Sequence, residues 1–569
     1  MISCAAILLL SVNASAVEFA GGGLSISTDS EFRYFQAAEG LEGFEKEFPN
    51  LLDYMELVAR QNLLWAKGDW QVGTQWDEVA LFSNRYYLDD VLMYEHELVT
   101  EGLRSPWPDA YVNLEKIWVK RSTPWGTVQV GDTYASFGRG LALNLVRNTD
   151  VDIDTTLRGF RTSVEHGDFE LTAVGGLTNQ QQVQQDNPNY LLRANRHTLI
   201  AGLRADRYGL GPASLGVHGV AYRFSREVDT FLDASGLKWP QPCVSGGDCE
   251  PGADTEPLDA LVGGATLELF GVGGMDWFVE GDVFHHMSSD LYGGEDPELG
   301  YAVYGSAAAY VGAATILVEG KRYVDTERLN TLPALEGYEV VSGPTLEDER
   351  VITEDSSAAL NSNDITGGRV RVDRAVGDQL TPYVSMALYR DTEEGGLHFN
   401  ETPETIFHPV AGGEFFGEKV QWIANAGYRH DERDGDYGAD RMAHADVAVD
   451  FPIGSYHTEF IVDARRFSWG ENANQQADFN ESSISLGIAP SDTWTLVLYN
   501  DYSDNPLIPS EGNLTEALYG AMEVHYHSNA AMTVKAFYGA YKAGIRCAGG
   551  QCRNLPGFEG ARVSIQSNF

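Results

Sequence analysis

Apolar and polar residues alternate with a period of two along most of this chain, the pattern of strands with one greasy and one wet face. In the last stretch Ala561, Val563, Ile565, Ser567 and Phe569 share one parity, with Arg562, Ser564, Gln566 and Asn568 between them. Elsewhere the rhythm comes in pairs around short turns. Tyr54 to Ala66 and Trp70 to Leu81 flank Lys67-Gly68-Asp69. Tyr111 to Arg121 and Thr127 to Tyr134 flank Thr123-Pro124-Trp125-Gly126. Gly159 to Glu165 and Phe169 to Val174 flank His166-Gly167-Asp168. Leu191 to Tyr208 and Ala213 to Phe224 flank Gly209-Leu210-Gly211-Pro212. Such turns are ordinary hairpin chemistry. Further pairs are Ala260 to Phe270 with Trp277 to Phe284, and Tyr301 to Tyr310 with Ala313 to Tyr323. Ala443 to Phe451 pairs with Tyr456 to Phe467, Ser483 to Ala489 with Thr493 to Tyr499, and Leu518 to His527 with Met532 to Tyr541. Leu380 to Arg390, Val420 to Asp431 and Gly560 to Phe569 add single strands, and Leu24 to Tyr34 and Leu141 to Leu145 are weaker candidates.

That makes roughly 20–24 strands, an even number being expected of a bacterial barrel. No stretch of 18 apolar residues offers a membrane helix. A sheet that crosses a bilayer must close, because an open edge leaves backbone groups unsatisfied in hydrocarbon. The fold expected is therefore all-β: a large antiparallel transmembrane β-barrel. Residues 1–16 read as a signal peptide, with an apolar run and the cleavage signal Ala14-Ser15-Ala16. Residues 17–53 form a lead-in that holds the Leu24 to Tyr34 candidate, and 54–569 the barrel. Long connections near 225–259, 324–378 and 500–516 oppose the short turns, the usual barrel asymmetry. The expected location is the cell outer membrane of a Gram-negative bacterium. Its partners there would be lipid, lipopolysaccharide and, during insertion, the barrel-assembly machinery. A periplasmic or surface protein would be a further partner. The rival architecture is a secreted β-rich sandwich or solenoid.

Composition and charge narrow this picture. The 569 residues include 61 Gly, 27 Tyr, 25 Phe and 11 Trp, which suits tight turns and aromatic girdles at the membrane interfaces. The formal net charge of −44 argues against nucleic acid. Much of the acid falls in the presumed loops, as in Glu347-Asp348-Glu349 and Asp431-Glu432-Arg433-Asp434. It reads as a solvated surface or as a layer that weakly binds Ca²⁺ and steers cations. Cys243 and Cys249 enclose one short loop, and Cys547 and Cys552 another. Each pair reads as a disulfide of an oxidising compartment, with a four-thiol metal site as the alternative.

Charges inside the spans are expected in the lumen or at a rim, since lipid exposure is costly. Lys116, Trp118 and Lys120 share a strand face. Arg158, Arg161, Lys321-Arg322 and Arg465-Arg466 are basic exceptions in an acidic chain. Gly138 and Gly140 flank Arg139, so the backbone there is free to bend or to approach something closely. Arg139 would then pair with Asp132, Asp150, Asp152 or Asp154. The candidate lumen or constriction residues are thus Asp132, Arg139, Arg158, Lys321, Arg322 and Arg465. The Arg139 block would form a salt-bridged brace or constriction, a ligand contact or a partner-docking loop; the other basic residues would brace the wall in Arg–acid networks or form a basic ladder for anionic or sugar-like solutes. No nucleophile, zinc or phosphate-loop motif is present. His285-His286 beside Asp282, and His525 with His527, lack an evident third ligand, so no catalytic or metal residue and no cofactor is assigned.

Two stretches, Val128 to Arg161 and Tyr538 to Phe569, resemble a family of bacterial outer-membrane proteins of unknown function, DUF6029. The first is similar to the family's G-D-x-Y-x-x-F-G-R-G-L motif, carried by Gly131, Asp132, Tyr134, Phe137, Gly138, Arg139, Gly140 and Leu141. The second is similar to its cysteine-bearing terminal strand, carried by Cys547, Cys552, Arg553, Pro556, Phe558, Gly560 and Phe569. The resemblance implies a barrel and brings no substrate or catalytic residue. The expectation is a passive or gated pore for small polar solutes. A partner-anchoring barrel with an occluded lumen is the alternative, and an enzyme acting on lipid or surface polymer stands behind both.

Overall fold

The computed structural model describes residues 17–35, 54–83, 109–148, 153–180, 199–223, 259–286, 299–324, 326, 365–391, 404–433, 439–469, 477–504, 517–529, 532–541, 544–548, 551–555 and 558–568. Twenty-four antiparallel strands form one closed barrel. The circuit starts at Gly22–Phe35, which pairs with Tyr54–Lys67, and each following wall strand pairs with the next. It closes where Phe558–Asn568 pairs with both Met532–Tyr541 and Gly22–Phe35. With no free edge, every wall strand finds a partner on both sides, as hydrocarbon demands.

The period-two pattern sorts the side chains. Val217, Val279, Val283, Val303, Val384 and Leu388 point outward and are exposed. Their inward neighbours on the same strands are polar or buried: His218, Glu280, Asp282, Tyr304 and Ser385. An arginine or lysine turned to the lipid at mid-membrane would cost roughly 2–4 kcal/mol, so the pattern holds register as well as solubility.

Short turns join strands at one end of the barrel. Exposed aromatics crowd that end: Trp70, Trp125, Phe169, Trp277, Tyr456 and Trp494. Two outward arginines stack on this belt, Arg121 over Trp70 at 5.1 Å and Arg207 over Phe169 at 4.1 Å. Amphipathic rings and stacked guanidinium groups are what a membrane–water interface favours.

The pattern missed two wall strands. Ile365–Arg374 lies within the stretch read as the 324–378 loop, and Glu404–Phe416 had no counterpart. The first has two adjacent glycines and then charges at Arg369, Arg371 and Asp373. Those charges share the inward face, where Arg369 meets Glu319 at 2.5 Å and Arg371 meets Asp373 at 2.9 Å. A strand polar on its inner face and thin on its outer one looks like a loop in sequence. Leu143–Leu145, by contrast, is no wall strand. It pairs with Ala135–Phe137 in a small separate hairpin. Of the cysteines, Cys547 and Cys552 are directly opposite each other in the hairpin Gly544–Ala548 with Gln551–Leu555. Cys243, Cys249 and most of the acidic loops lie outside the described residues.

Candidate functional site

The strands Gly126–Thr133 and Ile153–His166 are neighbours in the wall, yet the chain between them leaves it and folds into the barrel. The exit is clamped. Gly131 has φ +102°, and a Cβ there would sit 2.0 Å from the Ile117 carbonyl oxygen, so a side chain is excluded. The Asp132 carboxylate accepts the Ile117 N–H at 2.7 Å and pairs with Arg158 at 3.2 Å. Lys116 donates to the Tyr134 hydroxyl at 3.1 Å, and Arg161 to the Tyr134 carbonyl at 3.3 Å.

Beyond the exit, Ala135–Phe137 and Leu143–Leu145 form the two arms of the inward hairpin. Its side chains complete a core with inward residues of the wall. Phe137, Leu141, Ala142, Leu143 and Leu145 are buried, together with Leu157, Ile200, Tyr222, Phe284 and Tyr323. Tyr222 donates its hydroxyl to the Ala142 carbonyl. Burying an aliphatic or aromatic side chain of this size stabilises by roughly 1.5–3 kcal/mol, so several together hold the hairpin firmly.

The tip meets the wall strand Met275–His286. The Arg139 backbone N–H donates to Glu280 Oε2 at 2.6 Å, and its guanidinium lies 4.6 Å over the Phe278 ring. Gly138 has φ +60°, and a Cβ there would fall 1.7 Å from Glu280 Oε1. Only glycine permits both the turn and the approach. Every residue of the block Gly131 to Leu141 quoted above thus belongs to the exit, the turn or the dock of this inward segment.

Under the tip lie His218, Glu280 and Asp282, all buried. They come together through strand register. His218 is opposite Gly264, and Gly264 is opposite Asp282, so the two side chains reach across a strand that has no side chain in their way. A Cβ on Gly264 would collide with Asp282 Oδ1 at 2.0 Å. His218 Nε2 and Asp282 Oδ1 are 2.5 Å apart. Glu280 follows two residues before Asp282 on the same face. Arg204, held by Asp206 at 2.6 and 2.8 Å, approaches His218 Nδ1 at 3.4 Å.

The remaining candidates fall elsewhere. Lys321 is buried and inward, within 5.7 Å of the Tyr323 and Tyr389 rings. Arg465 is inward and pairs with Asp463 at 3.0 Å. Arg322 shares the outward parity of Val318 and stacks on Tyr301 at 5.6 Å, so it belongs to the outer surface and not to the lumen. Arg158 likewise shares parity with the exposed Phe160, and its pair with Asp132 braces the wall from outside. Arg139 uses its N–H and its ring contact, and its acidic anchor is Glu280. The pairs Arg204/Asp206, Arg371/Asp373, Arg429/Asp431 and Asp463/Arg465 each stand two residues apart on one inward strand face. A second inward cluster joins His408 and His444 at 2.9 Å, with Asp446 at 3.7 Å from His444.

Residues 472–569 match a family of unknown function, DUF6029, over the second of the two blocks quoted above. No curated protein sequence matches the chain significantly. Among solved structures, the chain is similar to the translocation pore of the P pilus usher PapC, at 10% identity and a TM-score of 0.41. The match covers 96% of this chain and 99% of the usher. It is also similar to OpdK of Pseudomonas aeruginosa solved with vanillate, at 11% identity and TM-score 0.37, covering 76% of this chain and 98% of OpdK. A mutant of the ferric enterobactin receptor PfeA from Pseudomonas aeruginosa, in complex with enterobactin, gives 9% identity and TM-score 0.46. There the match covers 96% of this chain and 81% of the receptor.

Proposed function

We propose that this protein is an outer-membrane pore for small polar solutes, narrowed by the inward hairpin of Ala135–Phe137 with Leu143–Leu145. The observation that carries the reading is the sorting of charge. Away from the core around the inward hairpin, inward positions of the wall hold rows of acid–base pairs, while outward positions hold mainly Val, Leu and aromatic residues. A barrel with a dry, packed interior would favour apolar residues there, because each buried charge must be desolvated. Rows of self-neutralised pairs instead suit a wall in contact with water and passing solutes. Passage through such a lumen needs no covalent chemistry.

The inward hairpin supports a second reading on its own observation. Its arms are almost fully buried and its tip is hydrogen-bonded to Met275–His286, further along the same side of the wall, which is how a permanent stopper would be fixed in place. The barrel would then anchor a partner at the membrane. Single-channel recording in a planar bilayer decides between them. Steady conductance with a size limit for neutral solutes supports the pore. A folded barrel that stays closed supports the anchor.

A further inference from the structure

We infer that His218, Glu280 and Asp282 form a binding site for one divalent transition-metal ion, which ties the inward segment to the barrel wall. One ligand atom from each residue lies within 4.8 Å of the others, and all three residues are buried. Glu280 is 0% exposed and Asp282 2%. Two independent observations point to a missing cation. Glu280 Oε1 and Asp282 Oδ2 are buried with no hydrogen-bond donor in reach. Both belong to carboxylates whose other oxygens are already used, by Arg139 N–H and by His218. Two buried carboxylates two residues apart repel each other, and a buried anion without a partner is strongly disfavoured.

The surroundings are shaped to let these groups converge. Gly264 leaves the space through which His218 and Asp282 meet. Gly216, one strand away, leaves space beside Thr266 and Asp206, where a Cβ would come within 2.6 Å of either. Arg204 is neutralised by its two bonds to Asp206 and does not complete the trio. The ligand set, one imidazole and two carboxylates, suits zinc and its first-row neighbours rather than Ca²⁺ or Mg²⁺, which take oxygen shells. Ligands at about 2.0–2.1 Å around zinc stand roughly 3.3 Å apart, so His218 and Asp282 need part by less than about 1 Å. With Glu280 coordinated through one oxygen, the other still holds the Arg139 N–H. The ion would thereby fix the hairpin tip. The site stands whether or not the barrel conducts.

The test uses the full-length barrel, purified folded in mild detergent, stripped with a chelator, and loaded with Zn²⁺ or Co²⁺. Folding is checked by heat-modifiable gel mobility. One ion per barrel is expected by elemental analysis after dialysis. X-ray absorption at the zinc edge should show one imidazole and oxygen donors, without sulfur. His218→Ala and the near-isosteric Asp282→Asn should each lower affinity by at least tenfold, and His285→Ala, on the outward parity of the same strand, should leave it unchanged. Folded wild-type barrel that retains no ion after dialysis overturns the inference. So does a sulfur-rich shell, or an ion held equally well by folded Asp282→Asn. Conductance is scored separately, so a closed barrel with one bound ion refutes the pore and not the site.

Discussion

Replacing Gly138 by alanine should loosen the tip of the inward hairpin from the wall without unfolding the barrel. The new Cβ would stand 1.7 Å from Glu280 Oε1, far inside any allowed contact. Glu280 is buried and has little room to swing, so it gives up the 2.6 Å bond from the Arg139 N–H. A hydrogen bond to a charged acceptor is worth about 1.5–3 kcal/mol. Alanine at φ +60° adds roughly 1–2 kcal/mol of left-handed backbone cost. Together they set about 2.5–5 kcal/mol against docking of the tip, or roughly two to nearly four orders of magnitude in that equilibrium. The closed ring of 24 strands is untouched, because the two strands of this hairpin form a sheet of their own outside the wall's ladder.

The assay is planar-bilayer conductance with graded neutral solutes, beside heat-modifiable mobility as the measure of folding. The expected result is a folded variant with larger conductance and a higher size cut-off than the parent. Gly263→Ala is the control: a Cβ there meets nothing within 4 Å, and conductance should not change. A folded Gly138→Ala barrel that conducts like the parent would refute the claim that this contact closes the lumen.

Other consequences can be checked alongside. Val384→Arg places a charge on an outward position that is 57% exposed, and should lower equilibrium stability in bilayers by about 2–4 kcal/mol if that position lies at mid-membrane. Phe137→Ala removes a buried ring from the hairpin core. It should cost about 3–5 kcal/mol of docking, seen as raised conductance with the barrel still folded. Cys547 and Cys552, opposite each other across a hairpin, should react with a thiol reagent only after reduction, as counted by mass spectrometry. The chain's net charge of −44 should make open channels cation-selective at low salt, read from the reversal potential in a KCl gradient.

Period-two alternation was enough to show a closed barrel, because lipid outside and polar groups inside impose the same rule on each strand. It failed where the rule is weak. Ile365–Arg374 has only Thr366, Gly368, Val370 and Val372 on its outward face before Arg374, and shows its inward charges. The parity of single charges was also legible in principle. Val318 sets Arg322 outward and Phe160 sets Arg158 outward, so both leave the lumen list once the apolar neighbours are read first. What alternation cannot state is which distant strands share a level. His218 and Asp282 are 64 residues apart and meet through the register at Gly264. The faint signal was glycine at an inward position, where a wall strand otherwise places a polar or bulky side chain.

The block Gly131 to Leu141 shows how much mechanism a short motif can carry without chemistry of its own. Its glycines do different work. Gly131 lets the chain leave the ladder, Gly138 lets the tip touch a carboxylate, and Gly140 at φ +96° returns its N–H to the Phe137 carbonyl at 3.0 Å. Its charged residues act at both ends of the same segment. Asp132 anchors the exit, and Arg139 presents a backbone N–H and a flat cation at the dock. The exit bonds run to Ile117, Tyr134 and Arg158, on elements other than the strand that receives the tip. The hairpin is therefore hinged at one end and latched at the other. The tip contact consists of one hydrogen bond, one ring contact and one close approach on Met275–His286, while the arms are held separately by the buried core and the Tyr222–Ala142 bond. A segment built this way opens by losing its tip contacts first, so changes at Gly138, Phe278 or Glu280 should alter conductance before changes at Asp132 do.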